Sequence, residues 1–263
     1  MSEGKKEILL GDCLELMKDI PNGSIDMILC DLPYGTTACK WDTIIPFEPL
    51  WEQYKRIIKD NGAIVLTASQ PFTSALVMSN IKMFKYEWIW YKNKPTGMTG
   101  KYAPLRDHES VVVFGNKKIK YYPIKQKTKS KSSLLQAKSK RKNIGGLVNK
   151  INNNKFPEKV IWNEYVYPRS VLPIDVEPMR KGRLHPTQKP VALFEYLIKT
   201  YTNEGDLVLD NCAGSGTTAI ACLNTNRQFI VMEKEQKYYD IILKRVEDFN
   251  KNFEQQTLFE KEM

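Results

Sequence analysis

Short apolar runs rich in β-branched residues alternate along the chain with longer segments of helical period. The predicted strands are Ile8–Leu10, Ile25–Cys30, Ala63–Thr67, Tyr86–Tyr91, Ser110–Phe114, Leu207–Asp210 and Phe229–Met232. The predicted helices are Phe47–Lys59, Pro71–Asn80, Pro186–Thr202, Thr217–Asn224 and Gln236–Phe249. Strands that alternate with helices indicate an α/β fold with a mostly parallel sheet and helices on both faces.

A basic segment separates the two groups of predicted elements. Residues 116–160 contain 14 lysines and arginines and one acidic residue, Glu158. The rest of the chain holds 26 basic and 29 acidic residues, so the segment is +13, the rest is −3, and the chain's net charge of +10 comes entirely from the segment. Such a concentration favours an anionic partner, most often nucleic acid. We therefore predict one domain in two halves, residues 1–115 and 166–250, with an insertion over 116–165 and a C-terminal tail over 251–263.

Composition excludes several other classes of protein. The chain of 263 residues has no run of 18 apolar residues and no apolar stretch near its start, so neither a membrane span nor a signal peptide is expected. Its five cysteines (Cys13, Cys30, Cys39, Cys212 and Cys222) form no C-x-x-C pair, and there are only two histidines. These counts favour reduced thiols in the cytoplasm and no metal site.

The first candidate site is a glycine-rich turn that runs from Asp210 to Thr218. It follows a predicted strand and opens a predicted helix, a setting in which glycines allow a ligand close to the backbone and the helix offers free N–H groups. Glu233 ends the next strand, where an acid suits the hydroxyl groups of a ribose. The alternative is a tight strand–helix turn beside a solvated acid.

The second candidate site is the sequence Asp31-Leu32-Pro33-Tyr34, which ends the strand Ile25–Cys30. Ligands of α/β sheets bind at the carboxyl ends of strands. A carboxylate, rigid carbonyl groups and an aromatic ring together suit a planar base that bears an amino group. An ordinary Asp-x-Pro turn is the alternative.

The two motifs together resemble the S-adenosylmethionine-dependent DNA amino-methyltransferases in the beta arrangement. In that family a D-P-P-Y motif precedes the target-recognition region, and an F-x-G-x-G cofactor motif follows it. Gly11–Leu14 and His185–Pro190 fit the same order. There are two departures: Leu32 replaces the first proline, and Cys212-Ala213 stand where an aromatic residue is usual. The resemblance implies a Rossmann-like methyltransferase fold with a circularly permuted motif order.

The resemblance also implies roles for individual residues. Asp31, Leu32, Pro33 and Tyr34 are the expected catalytic residues, with acceptors for the amino group at Asp31 and Leu32 and a stacking surface at Tyr34. The expected residues for S-adenosylmethionine are Asp12, Lys189, Asp210, Gly214, Gly216, Thr217 and Glu233. Asp12 would meet the adenosine end, Glu233 the ribose, and Lys189 the cofactor carboxylate. Lys189 as a surface residue next to a helix is the alternative.

The implied activity is site-specific methylation of the adenine N6 amino group in double-stranded DNA, with the base flipped out, as in restriction–modification systems. The alternatives are cytosine N4 and a catalytically silent DNA-binding paralogue. Members that act on cytosine commonly carry Ser in place of Asp31. Protein-glutamine and RNA methyltransferases more often carry Asn there.

The basic insertion corresponds to the family's target-recognition region. Its candidate base-reading residues are Gln136, Arg141, Asn143 and Asn152–Asn154. A lysine-rich tail without sequence specificity is the alternative.

Trp88, Trp90 and Tyr91 border the base pocket or belong to the core. At the C-terminus, Gln255–Phe259 resembles a peptide that docks on the bacterial sliding clamp. The sequence leaves the choice between a monomer and a homodimer open.

Overall fold

The computed structural model describes residues 4–36, 42–96, 100–127, 165–176 and 188–262. Its strands are β1 (Lys6–Leu10), β2 (Ile25–Cys30), β3 (Ile58–Ala68), β4 (Phe84–Thr96), β5 (Arg106–Phe114), β6 (Gln126–Lys127), β7 (Tyr165–Val166), β8 (Val171–Pro173), β9 (Leu207–Asp210) and β10 (Gln228–Glu233). Its α-helices are α1 (Cys13–Leu16), α2 (Phe47–Ile57), α3 (Phe72–Ser79), α4 (Val191–Tyr201), α5 (Thr217–Asn224) and α6 (Gln236–Glu262).

Eight of these strands form one sheet in the order β1-β10-β9-β2-β3-β5-β4-β8. All neighbouring pairs are parallel except β3–β5 and β5–β4, because β5 runs against the strands on either side of it. The predicted mostly parallel sheet is therefore confirmed.

The sheet separates two apolar cores. Side chains alternate along β2, so that Ile28 and Cys30 belong to one core while Met27 and Leu29 belong to the other. The first core takes Leu50 and other residues of α1, α2 and α3. The second takes residues of α4, α5 and α6. Both faces are covered, which explains why β2 is buried along its whole length.

The strand order reverses between β2 and β9. From β2 the chain passes through α2 to β3 on one side, whereas from β9 it passes through α5 to β10 on the other. The two strands pair in parallel, with Met27 opposite Val208 and Ile28 opposite Leu209. Open α/β sheets bind their ligands in the crevice at such a point. Asp31 and Asp210, far apart in sequence, therefore share one edge of the sheet.

The chain divides into two compact units. The first comprises Met1–Tyr122 and Ser170–Met263, and the second is Pro123–Arg169. Within the second unit, β6 and β7 pair antiparallel, and the Lys125 ammonium lies 5.4 Å from the centre of the Tyr167 ring.

The first residues of the predicted insertion lie in the first unit. The Lys120 ammonium pairs with Asp26 and Asp206, at 2.9 Å each, and the Lys117 ammonium lies 2.7 Å from Asp60. These ion pairs hold two of the segment's lysines against the sheet domain.

Several predicted boundaries were wrong. β4 and β5 extend beyond Tyr86–Tyr91 and Ser110–Phe114, because their pairing continues past the apolar runs. The predicted helix Gln236–Phe249 was too short, since α6 continues to Glu262. Neither Gly nor Pro follows Phe249, and Lys251 pairs with Glu247 one turn earlier at 2.5 Å, so nothing in the sequence stops the helix.

Candidate active site

A cavity of about 380 Å³ opens at the edge of the sheet where β2 and β9 end. Its lining includes ten of the eleven predicted site residues: Asp12, Asp31, Leu32, Pro33, Tyr34, Lys189, Asp210, Gly214, Thr217 and Glu233. Gly216 is absent from this lining. It precedes α5 with a φ of 82°, and a Cβ placed there would lie 3.0 Å from Ile242 of α6. The structure thus brings both sequence motifs to one cavity.

Asp31 is held by three donors. Its Oδ1 accepts hydrogen bonds from the Tyr34 hydroxyl, at 2.8 Å, and from the Thr67 hydroxyl. Its Oδ2 lies 2.8 Å from the Lys189 ammonium. The Tyr34 ring stacks on Phe72, with 5.3 Å between ring centres. The carboxylate therefore has a fixed orientation at the cavity wall.

Lys189 is buried, with 6% of its side chain exposed, and contacts the catalytic motif rather than solvent. Its ammonium lies 3.3 Å from Glu109 and 5.3 Å from the centre of the Tyr34 ring. Burial lowers the pKa of Lys189, but the negative charges of Asp31 and Glu109 outweigh it and raise the pKa well above its ordinary value. Burial, together with Asp31, raises the pKa of Tyr34. Lys189 is thus a permanent cation and Tyr34 a neutral phenol.

The buried Asp210 carboxylate holds the glycine-rich turn through hydrogen bonds. This carboxylate is 2% exposed and accepts hydrogen bonds from the Cys212 amide, at 3.0 Å, and the Thr218 hydroxyl. Burial raises the pKa of Asp210 to about 6, although both donors oppose that shift. Gly214 has a φ of 52°, and no atom lies within 4 Å of where its Cβ would be. The turn therefore presents an open stretch of backbone to the cavity.

Glu233 ends β10 with both oxygens engaged. Its Oε1 accepts hydrogen bonds from the amides of Lys234 and Glu235, at 2.9 and 2.8 Å, and its Oε2 accepts one from Gly214 at 2.8 Å. Each carboxylate oxygen has two acceptor positions, so one position on Oε2 faces no donor among the described residues. Burial raises the pKa of Glu233 against these three amides.

Asp12 caps the short helix α1. Its Oδ1 accepts the Leu14 amide at 3.0 Å, and Lys234 lies 3.2 Å from its Oδ2. The Leu14 amide, with Lys234, lowers the pKa of Asp12 against a modest effect of burial. Asp12 is therefore a carboxylate at neutral pH, next to the cavity and exposed to solvent.

Sequence reasoning missed two residues of this site, and it weighed a third, Glu109, only as the beginning of a strand. Thr67 and Phe72 flank the Asp31 and Tyr34 side chains, and Glu109 pairs with Lys189. Thr67 was detectable in principle, since it stands at the end of a predicted strand. Glu109 was not, because only the antiparallel direction of β5 brings its start to this edge.

The remaining residues singled out in the sequence lie in the core, on the surface or outside the described part of the chain. Trp88 and Trp90 are buried in the core, whereas Tyr91 is 47% exposed. Gln136, Arg141, Asn143, Asn152–Asn154, Cys39 and His185 lie outside the described residues. In the part of the chain that is described, no group of His, Cys, Asp and Glu could hold a metal ion. None of the described helices is long and apolar enough to cross a membrane.

Comparison with known proteins agrees with this geometry. The N6_N4_Mtase family model, described as DNA methylase, matches residues 25–244, which include both motifs of the cavity. The chain belongs to this DNA methylase family. Its cofactor is therefore S-adenosylmethionine and its partner is DNA, as predicted from the sequence.

Relatives of this DNA methylase span most of its length. Type II methyltransferase M.HpaI of Haemophilus parainfluenzae is 28% identical over 93% of this chain and 76% of its own. DNA adenine methyltransferase YhdJ of Escherichia coli (strain K12) is 29% identical over 92% and 83%. The crystal structure of an M1.HpyAVI-SAM complex matches with a TM-score of 0.62 and 26% identity, over 91% of this chain and 98% of its own. The predicted Rossmann-like fold is confirmed.

Proposed function

We propose that this DNA methylase transfers the methyl group of S-adenosylmethionine to the N6 amino group of an adenine flipped out of duplex DNA. One observation carries the proposal: the Asp31–Tyr34 motif and the glycine-rich turn at Asp210 line the same cavity. The relative named DNA adenine methyltransferase YhdJ supports the choice of adenine.

The residues around the cavity fit the cofactor. Glu233 keeps one acceptor position on Oε2 for a ribose hydroxyl, and Asp12 is a second acidic group at the same side. Asp210, Gly214, Gly216 and Thr217 form the turn that would hold the methionine portion, with free backbone at Gly214. When bound, S-adenosylmethionine supplies an electrophilic methyl group on a positively charged sulfur.

Asp31 would make the amino group of adenine a better nucleophile. That nitrogen is weakly nucleophilic, because its lone pair is delocalised into the ring. The Asp31 carboxylate and the Leu32 carbonyl would accept its two hydrogens, which favours a pyramidal nitrogen with a free lone pair. Acceptors fixed in advance also stabilise the positive charge that develops on nitrogen. The Tyr34 and Thr67 hydroxyls keep the Asp31 carboxylate in place.

A base in a duplex cannot reach this cavity, so it must be extruded at a cost of a few kcal/mol. The Tyr34 ring, supported by Phe72, would receive the base by stacking. The basic residues of 116–160 other than Lys117 and Lys120, which pair with acidic groups, would hold the DNA backbone through contacts to phosphates.

The decisive experiment is incubation with labelled S-adenosylmethionine and unmethylated genomic duplex DNA, followed by mass spectrometry of the nucleosides. We expect N6-methyladenine. Detection of N4-methylcytosine instead would show that the protein methylates cytosine. The absence of any methylated nucleoside would favour a catalytically silent DNA-binding paralogue. The cytoplasm, where DNA and reduced thiols occur together, is the proposed compartment.

A further interaction is proposed for the C-terminus, where Gln255–Phe259 resembles a sliding-clamp peptide. These residues are part of α6, near its C-terminal end. Pull-down with purified bacterial clamp should retain the full chain and not a variant that ends at residue 254. Equal retention of both would end this proposal.

A further inference from the structure

Four charged side chains of alternating sign form a row behind the catalytic motif. The Lys92 ammonium lies 3.1 Å from Glu109 Oε1, Glu109 Oε2 lies 3.3 Å from the Lys189 ammonium, and Lys189 lies 2.8 Å from Asp31 Oδ2. Lys92 is 3% exposed and Glu109 is 18% exposed, so the row is largely shielded from water. Buried charges persist only when they are paired, and here they balance.

Asp31 has little room for another hydrogen bond. Its Oδ1 accepts the Thr67 hydroxyl and lies 2.8 Å from the Tyr34 hydroxyl, whose oxygen is also 3.0 Å from Thr67 Oγ1, so two hydroxyl groups surround Oδ1 and leave no room for a further donor. The remaining position is on Oδ2, next to the Lys189 ammonium. An amino group that binds Asp31 would therefore lie beside a cation. Because that amino nitrogen gains positive charge during methyl transfer, a nearby ammonium opposes the reaction.

Glu109 offers the ammonium another partner. Its Oε2 is buried and accepts no hydrogen bond in the described structure, and its contact with Lys189 is an ion pair without hydrogen-bond geometry. Lysine carries three donors on a flexible stem, so a small movement exchanges one carboxylate for the other. Lys92 keeps Glu109 in place through its other oxygen.

We infer that Glu109 is a positioning residue, which takes the Lys189 ammonium from Asp31 when the target amino group binds. Asp31 then keeps its full negative charge for the amino group, and Lys189 stays ionised. The inference rests on the proposed function, because it concerns how Asp31 meets the amino group of the base.

The test is Glu109→Gln, which keeps the size of the side chain and an acceptor for Lys92 but removes the negative charge. Single-turnover methyl transfer is measured with tritiated S-adenosylmethionine and unmethylated genomic duplex DNA. We expect the rate constant to fall roughly 10- to 100-fold. The dissociation constant for S-adenosylmethionine and the melting temperature should stay close to those of the wild type. Glu109→Asp, which keeps the charge at a shorter reach, should recover part of the rate.

Glu87→Gln is the matched control, because it removes one negative charge from the exposed side of β4 and should not change the rate. A wild-type rate in Glu109→Gln would overturn the inference. Weaker cofactor binding with an unchanged rate would also overturn it, since the effect would then concern the cofactor. If Glu109→Gln does not fold because Lys92 loses its counter-charge, the double variant Lys92→Gln/Glu109→Gln removes both charges, and a wild-type rate in that variant is the overturning result. A wild-type enzyme that makes no N6-methyladenine would instead overturn the proposed function.

Discussion

Three carboxylates at the cavity differ in how many of their hydrogen-bond acceptor positions are already occupied. Asp31 is nearly saturated by Tyr34, Thr67 and Lys189, whereas Glu233 keeps one position beside the glycine-rich turn. Asp210 takes its donors from the turn itself and lies deeper. The three carboxylates therefore have different roles, because each accepts hydrogen bonds from a different set of donors.

Tyr34 is expected to have two roles. Its ring stacks on the flipped base, and its hydroxyl donates a hydrogen bond to Asp31. Tyr34→Ala should weaken binding of the flipped base by about 1–3 kcal/mol, because the stacking surface is lost. Tyr34→Phe keeps the ring on Phe72 and should lose less. Fluorescence of 2-aminopurine at the target position, once that sequence is known, measures the base, and calorimetry measures the cofactor. If Tyr34→Ala weakened binding of the cofactor as much as binding of the base, the proposed role of the Tyr34 ring in base binding would be contradicted.

Asp210 should make stability depend on pH. Because its pKa is raised to about 6 in the folded protein, the folded state binds this proton more tightly than the unfolded chain. The free energy of unfolding should fall as pH rises from about 4 to about 6, by at most roughly 3 kcal/mol from this group. Urea unfolding at several pH values should show a flatter profile for Asp210→Asn. Asp19→Asn, at an exposed position, is the control and should keep the wild-type profile.

Whole elements bring the cofactor turn to its place. The turn links β9 to α5, and α5 lies so close to α6 that a Cβ at Gly216 would make a tight contact of 3.0 Å with Ile242. The Asn211 side-chain oxygen Oδ1 accepts a hydrogen bond from the Tyr54 hydroxyl of α2 at 2.5 Å, and this contact ties the start of the turn to the opposite face of the sheet. Helices on both faces thus define the position of one loop.

Gly216→Ala tests this packing. The substitution meets a positive φ of 82° and contacts of 3.0 Å with Ile242, so it should destabilise the protein by more than about 1 kcal/mol. Gly23→Ala is the matched control, since Gly23 also has a positive φ but nothing within 4 Å of its Cβ. The difference between the two unfolding free energies measures the packing contribution. Equal losses would mean that only backbone conformation matters.

The molecule as a whole separates a slightly acidic methyl-transfer domain from a strongly basic segment. Lys117 and Lys120 pair with acidic groups of the first unit, so the remaining basic residues carry the expected contacts to DNA. In the second unit, Lys127 lies opposite Tyr165 in an antiparallel pair. The chain ends on either side of residues 128–164 are therefore adjacent.

This adjacency allows a clean deletion. Replacing residues 128–164 by Asn-Gly, which suits a two-residue hairpin turn, removes nine lysines and arginines. We expect loss of DNA binding and a shallower dependence of any residual binding on salt, because fewer phosphates are neutralised. Binding of S-adenosylmethionine should remain. DNA affinity equal to that of the full chain would show that the segment does not position the DNA.

Local sequence determined the elements and both motifs. The apolar runs of β2 and β9 and the glycines before α5 are features of a few consecutive residues, and resemblance to a family supplied their roles. Boundaries were less accurate where strand pairing or helix continuation, rather than apolar pattern, decides them. β4 and α6 are the examples.

Only the tertiary structure decided what surrounds Asp31. The start of β5 reaches the active edge because that strand is antiparallel, which brings Glu109 within 3.3 Å of Lys189. The sequence predicted Lys189 as a residue of the cofactor site, and only the fold shows that its ammonium also lies 2.8 Å from Asp31. The physical reason is that strand direction and charge balance in a buried site depend on residues distant in sequence, and no local pattern encodes them.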